Sequence, residues 1–187
     1  KQKISTSPHS RSDFNLPENG IIFCSFNNSF KIEPIMFNVW LNILRKVPDS
    51  VLWLIKSNDL AEGNLKSVAQ ARGVDGDRLI FAEKLPKDQH LARCRLADLG
   101  LDTRIYGGHT TTSDLLWAGV PVVTMLGTHF ASRVAASLLN AVGLPELITH
   151  DLEEYESLAL RLTQSPVEIA ALKAKLAKNR KAEPLFD

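Results

Sequence analysis

Gly107, Gly108, His109, Thr110, Thr111, Thr112, Ser113 and Asp114 stand between an apolar run that ends at Leu101 and the helix-forming residues Leu115, Leu116, Trp117 and Ala118. A glycine pair after a strand lets the backbone turn tightly. A hydroxyl-rich run opening a helix then presents unpaired N–H groups, and the positive end of the helix dipole, to an anion. The chemistry is phosphate binding. About one turn further along, Asp114 would bring a carboxylate to the same mouth, where it accepts hydrogen bonds from sugar hydroxyls. The competing reading is an ordinary N-cap, in which Thr and Ser side chains satisfy helix donors and bind nothing else. Both readings stay open at this level.

Other residues can join such a site. In Ser25-Phe26-Asn27-Asn28-Ser29-Phe30-Lys31 a short apolar strand gives way to a helix, so Asn28 and Lys31 stand at the edge of a sheet. Lys31 is a candidate diphosphate ligand or a solvated surface lysine. Lys87, His90 and Arg93, at i, i+3 and i+6, share one side of a drawn-out helix; they suit either a nucleobase pocket or a plain polar face. His129 follows Gly127-Thr128 at the same sheet edge, and helix capping accounts for it. No G-x-G-x-x-G follows the first strand and no G-x-x-x-x-G-K-[ST] occurs, which disfavours nicotinamide cofactors and P-loop hydrolysis. Asp98 and Asp102 do not form an Asp-x-Asp pair, so no metal is expected. There is neither a nucleophile elbow nor an H-E-x-x-H spacing. Cys24 and Cys94 fall in no metal-ligand pattern and read as reduced, structural thiols.

The elements that must position these residues alternate. Ile21 to Phe26 reads as a strand and Ile35 to Val47 as a helix. Val51 to Ile55 precedes a helix over Leu65 to Arg72, and Leu79 to Ala82 precedes one beginning near Pro86. A strand around Leu99 and Leu101, a helix from Thr111 to Ala118 and a strand over Pro121 to Met125 complete the pattern. Near-continuous apolar strands such as Val51 to Ile55 suit a parallel sheet covered on both faces, so the expected class is α/β, a Rossmann-like doubly wound sheet with flanking helices. Ligands of such folds bind beyond the carboxyl ends of the strands, which marks the loops Asn27 to Pro34, Glu83 to Pro86, Thr103 to Thr110 and Leu126 to His129. After Gly143 the chain reads as packing helices over Leu152 to Leu162 and Val167 to Lys178. Lys173, Lys175, Lys178, Arg180 and Lys181 read as a solvated face.

With 187 residues, 44% of them hydrophobic and 23% charged, one domain is the default. Lys and Arg number 22 against 21 Asp and Glu, a formal charge of +1 that argues for neither nucleic acid nor a membrane surface as partner. No apolar stretch is long enough to span a bilayer and no signal-peptide pattern opens the chain. A cytoplasmic location follows. Residues 1–15 are polar and read as a linker or disordered lead-in, leaving 16–187 as one Rossmann-like lobe with its C-terminal helices. The opening residue, Lys1, is not Met, which reads as a piece of a longer protein.

Taken in order, Phe26 to Lys31, Pro86-Lys87 through His90 and Arg93, Leu96 to Thr103, Gly108 to Thr111, Asp114, Leu116 to Gly119 and Ala131 to Ser137 resemble the protein O-GlcNAc transferases. The resemblance runs from about Leu16 to Phe186 and is to the C-terminal catalytic lobe of a GT-B fold. It implies a UDP-GlcNAc donor and inverting, metal-independent transfer of GlcNAc to protein Ser or Thr hydroxyls, with no cofactor. It also implies partners in an acceptor protein, a first catalytic lobe and tetratricopeptide repeats; no such repeat period occurs here. Residue by residue, Lys31 matches the lysine that stabilises the diphosphate leaving group. His109, Thr110 and Thr111 match the phosphate-binding helix start, and Asp114 the ribose carboxylate. Lys87, His90 and Arg93 match positions around the uridine, with the backbone near Leu85 on the uracil. Asn28 stands where the family commonly has glutamine, Leu85 replaces a smaller residue, and Thr112-Ser113 replaces a glycine-containing pair. No general base is identifiable, and the isolated lobe should bind nucleotide weakly and transfer sugar poorly. The alternatives are a GDP-fucose-dependent protein O-fucosyltransferase lobe of the related SPINDLY-type branch, or a non-catalytic nucleotide-binding domain.

Overall fold

A computed structural model describes residues 2–186; Lys1 and Asp187, which end the expected linker and lobe spans, lie outside the described residues. Six parallel strands form one sheet in the order β3-β2-β1-β4-β5-β6: β1 (Ile22–Ser25), β2 (Val51–Ile55), β3 (Leu79–Ala82), β4 (Leu99–Leu101), β5 (Val122–Met125) and β6 (Ile148–Thr149). Order runs outward in both directions from β1 and β4, which pair directly through Phe23 with Leu99 and Cys24 with Gly100. The loops that leave these two strands therefore part and open a crevice, the usual ligand position in such sheets.

Helices cover both faces: α1 (Pro34–Lys46), α2 (Asp59–Ala71), α3 (Lys87–Cys94), α4 (Thr110–Ala118), α5 (Val134–Ala141), α6 (Leu152–Gln164) and α7 (Pro166–Asn179). The apolar strands are buried as their composition requires. Ile22, Phe23, Cys24, Leu52 and Trp53 are sealed between the layers with Trp40, Ile43 and Leu44 of α1. Helix α2 begins six residues before its apolar spacing does, because the Asn58 side chain accepts the Ala61 N–H at 2.8 Å and caps a polar first turn. Two elements had no sequence expectation, α5 and β6; β6 has only two residues, too short to carry a period. Among the described residues no helix is long and apolar enough to cross a membrane.

The polar lead-in, expected as a linker, lies along the lobe. The Ser5 N–H donates to the Asp88 carbonyl of α3 at 3.0 Å, and Gln2 O accepts from Trp117 Nε1 of α4 at 2.8 Å. Arg11 pairs with Asp98 at 3.1 Å, and the Phe14 ring packs 5.3 Å from Trp53. One aromatic side chain and one arginine anchor a segment whose overall composition suggests none. At the other end, the face expected to be solvated is partly engaged. Lys173 donates to Ala97 O at 3.1 Å, Lys175 pairs with Glu146 at 2.7 Å, and Arg180 bonds Trp117 O. Helix α6 reaches the crevice from below through buried Tyr155, whose hydroxyl donates to Asp102 O at 3.0 Å and accepts from Trp40 Nε1 at 3.2 Å.

Candidate functional site

The loop after β1 turns its first residue inward. Asn27 is buried, and its Oδ1 accepts from the Thr111 hydroxyl at 2.8 Å and from Lys31 Nζ at 3.4 Å, while its Nδ2 faces Asp102 Oδ1 at 3.5 Å. A short 3-10 helix, Ser29–Lys31, carries Lys31 to this point. Its ammonium also donates to Gly107 O at 3.0 Å and lies 4.1 Å from the centre of the Tyr106 ring. Burial pushes the Lys31 pKa down and the Asp102 carboxylate pulls it back up. Lys31 and Thr111, 80 residues apart in sequence, thus meet through Asn27. Asn28, the expected amide, is exposed at the sheet edge and its side chain lies outside this network, which Asn27 organises instead. A polar residue directly following an apolar strand was the available signal.

The glycine pair is needed for closeness rather than for a left-handed turn, since neither residue has a positive φ. A Cβ on Gly108 would lie 2.3 Å from Thr112 Oγ1 and 3.0 Å from Asp102 Oδ1, and one on Gly107 would lie 3.3 Å from Ala131 O. Gly108 N–H donates to Asp102 Oδ1 at 2.6 Å, so this turn is held from beneath. Helix α4 then starts at Thr110 with His109 as its N-cap and no side-chain capping bond. The ordinary N-cap reading therefore fails, and the first N–H groups of α4 keep their capacity for an anion. Thr110 is exposed at the mouth. The His109 ring stacks on Tyr106 at 5.1 Å, meets Phe130 edge-on at 5.9 Å, and sets Nε2 3.3 Å from Ala131 O.

Beside this anion pole lies a second group of polar side chains. Asp114 is 4% exposed; its Oδ2 is bonded by Lys87 Nζ from the first turn of α3, and its Oδ1 has no partner. Burial raises its pKa and Lys87 opposes the rise. A buried carboxylate oxygen without a donor is costly unless something supplies one. His90 is half-buried with its ring edge-on to Phe26 at 5.1 Å, and its Nδ1 accepts from Arg93 Nε at 3.1 Å. Its pKa is pushed down to about 4, chiefly by burial and then by Arg93 and Lys87, so the ring is neutral at physiological pH.

Arg93 departs from its expected place around a base. It is 1% exposed, with its guanidinium among the rings of Phe14, Phe26 and Trp53 and its Nη1 donating to Glu83 O at 2.5 Å. It holds the loop that carries Leu85 from within rather than lining a pocket. Lys87, His90 and Arg93 do lie on one side of α3, but that side dips from the surface into the core as it descends. The sequence reading also passed over Asn27 and Asp102 as parts of the site, because both are buried and neither belongs to a ligand motif. Among the described residues no three His, Cys, Asp or Glu side chains come together as a metal site would need. An open groove of about 790 Å³ runs beside the crevice, lined by Leu126, Phe130, Val134, Leu138 and Ile148 among others. It is roomier and mostly apolar, whereas the converging donors and the orphan acceptor lie in the crevice, which is therefore the candidate site.

The family model described as glycosyl transferase family 41 matches residues 2–187. A Caenorhabditis elegans UDP-N-acetylglucosamine–peptide N-acetylglucosaminyltransferase is 41% identical over 178 residues, 95% of this chain and 16% of the relative. The Arabidopsis thaliana protein SEC, named as a probable enzyme of the same kind, is 43% identical over 95% of this chain and 18% of its own length. The chain thus spans less than a fifth of these relatives. Among solved structures, a mutant O-GlcNAc transferase of Thermobaculum terrenum superposes with a TM-score of 0.85 at 34% identity, covering 89% of this chain and 32% of that one. Anabaena HepE, solved with UDP and glucose, superposes at 0.63 with 13% identity over 94% of this chain and 47% of its own, a likeness of fold alone.

Proposed function

The chain belongs to glycosyl transferase family 41, and from that premise we propose that it is the donor-binding lobe of an inverting, metal-independent transferase that moves GlcNAc from UDP-GlcNAc to protein Ser or Thr hydroxyls. The observation that carries this reading is Asp114 Oδ1, a buried acceptor with no donor, beside a helix start that has no side-chain cap. A ribose hydroxyl supplies the missing donor, and the attached diphosphate reaches Lys31, Thr110 and the first turn of α4. Lys87, now on Asp114, is released to the nucleotide. The neutral His90 ring and the Leu85 backbone face the base, and Arg93 steadies the loop behind them.

As the bond from the sugar C1 to the diphosphate oxygen breaks, negative charge builds on the leaving phosphate. Donors already oriented there lower the barrier directly, because they bind the transition state more strongly than the ground state. Lys31 and the α4 N–H groups are those donors. Metal independence belongs to the same reading: the lysine and the helix start provide the positive charge that a cation would otherwise bring. The acceptor hydroxyl, its base and most sugar contacts fall to the portion of the relatives that this chain does not span, so the chain alone binds UDP weakly and transfers sugar poorly. A cytoplasmic setting is supported by two free, buried cysteines, Cys24 and Cys94.

Calorimetric titration with UDP, GDP and NAD tests the donor class. UDP is expected to bind tightest. A clear preference for GDP would replace the reading with the fucose-donor branch, and tight NAD binding would remove it. Lys31→Ala and Asp114→Ala should each weaken UDP; unchanged affinity in both would refute this placement of the site.

A further inference from the structure

We propose that Asp102 is a positioning residue for the diphosphate site, acting through Asn27 and the Gly107-Gly108 turn to seat Lys31 and Thr111 at the mouth of the crevice. The inference rests on reading Lys31 and Thr111 as diphosphate ligands. Asp102 follows β4 in the middle of the sheet and is 2% exposed, so it touches no ligand itself. Every polar atom it has is engaged. Its N–H donates to Val123 O at 3.0 Å and its carbonyl accepts from Tyr155, which fixes the main chain between β5 and α6. Oδ2 accepts from the Thr124 hydroxyl at 2.7 Å, while Oδ1 accepts the Gly108 N–H at 2.6 Å and faces Asn27 Nδ2 at 3.5 Å. One step further out, Asn27 bonds both Thr111 and Lys31, and Gly107 O bonds Lys31 again. A single side chain thus anchors both loops of the crevice.

A buried acid beneath an anion site is a costly choice, since its own charge repels the ligand and burial, only partly offset by the bonds from Thr124 and Gly108 and by Lys31, leaves its pKa raised to about 6. An amide of the same shape would hold the Gly108 turn without that cost. What only the carboxylate adds is a negative charge behind Lys31, whose ammonium burial disfavours. The other groups around Lys31 do not replace it. Tyr106 and His109 lie on the loop side, and Tyr155 approaches Asp102 from α6. Glu33 and Arg104 are paired with each other at 2.8 Å. Asp102 therefore sets the place of Lys31 and also keeps its proton in place.

The test is calorimetric titration of UDP, from neutral to alkaline pH, into the wild-type protein, Asp102→Asn, Asp102→Ala and Lys31→Ala, with thermal melting of each. Asp102→Asn is expected to bind UDP roughly tenfold more weakly, the scale of one weakened charge-assisted contact. Its alkaline loss of affinity should begin at lower pH, because Lys31 gives up its proton sooner, while melting does not fall below wild type, since the cost of the buried charge is removed. Asp102→Ala, which also frees the Gly108 turn, should bind more weakly still. Asp102→Asn binding UDP as the wild type does at every pH would overturn the proposal, as would a loss that is equal at all pH values and tracks a fall in melting temperature. Should Lys31→Ala leave UDP affinity untouched, the reading of the site itself fails; a weakened Lys31→Ala beside an unaffected Asp102→Asn removes only the positioning role.

Discussion

Two basic side chains, Arg78 and Lys31, sit at opposite ends of the same sheet and show how a structural cation differs from one proposed to meet a ligand. Arg78 comes from the 3-10 helix Gly76–Arg78 at the amino ends of the strands. Its Nε donates to Ser50 O at 2.8 Å, and its Nη2 donates to Leu44 O, Val47 O and Ser50 Oγ at 2.7 to 2.9 Å. Those carbonyls include the last ones of α1, which no helical N–H can reach, so the guanidinium closes the helix and fastens the turn at Asp49, where φ is +60°. Lys31 at the carboxyl ends has only Gly107 O and a long contact to Asn27, with the ring of Tyr106 against it. The groove near Arg78 is the larger space, about 940 Å³, yet that arginine is committed to its own chain through Nε and Nη2, with Nη1 alone lacking a protein partner among the described residues. Commitment to the chain's own carbonyls, more than volume, separates the structural cation from the one proposed to meet a ligand.

The largest effect that would sharpen the contrast is on catalysis. Lys31→Ala is expected to lower transfer to a protein acceptor by roughly 10²- to 10³-fold in the enzyme that contains this lobe, with its melting temperature unchanged, because a preorganised donor to a leaving group costs about that much to remove. Steady-state rates beside thermal melting check both halves of the statement. Arg78→Met reverses the pattern. Removing the donor leaves several carbonyls at the end of α1 without their partner, and unfolding by urea should register a loss of about 2 to 3 kcal/mol. UDP affinity should be unchanged. An Arg78 variant that lost UDP binding while still folded, or a Lys31 variant that lost stability instead of rate, would break the comparison.

How much of this was legible in the residues follows the same division. Strands β2 and β3 have the spans their apolar runs indicate, since a strand buried on both faces writes its length directly into composition. The convergence of the proposed anion pole was legible because glycine, threonine and a lysine at strand ends are unusual enough to be noticed. Asn27 and Asp102 were not, because a polar residue that ends a strand looks the same in sequence whether it points to solvent or into a network; only the partner tells them apart. Arg93 failed the other way. Its spacing suggested a site, but three aromatic residues from distant parts of the chain enclose it, and long-range packing of that kind leaves no local period.

The smallest expected effect concerns acid stability, where two buried groups at the functional end oppose each other. Asp102 is raised from its ordinary 3.8 to about 6, so the stability it contributes is present below 3.8 and is lost as pH rises through about 6. His90 is lowered from 6.5 to about 4, so its contribution is present above 6.5 and is lost as pH falls through about 4. Asp114, raised by burial, acts in the sense of Asp102, and Glu33, lowered by its bonds to Ile35, Arg104 and Met36, acts in the sense of His90. Between about pH 4 and 6 the wild-type unfolding free energy should therefore drift by no more than about 1 kcal/mol, although each of the two large shifts alone corresponds to about 3 kcal/mol across its window. Removing one partner exposes the other. Asp102→Asn should become steadily more stable as pH rises through this range, with a slope approaching about 1.4 kcal/mol per unit, and His90→Gln should become less stable by a similar slope. Urea unfolding at intervals across the window measures all three. Parallel curves for the two variants would mean that the crevice carries no opposed titration, and the pH response of the fold would then have to come from the rest of the surface, as it would at the Arg78 end, where the cation stays charged throughout.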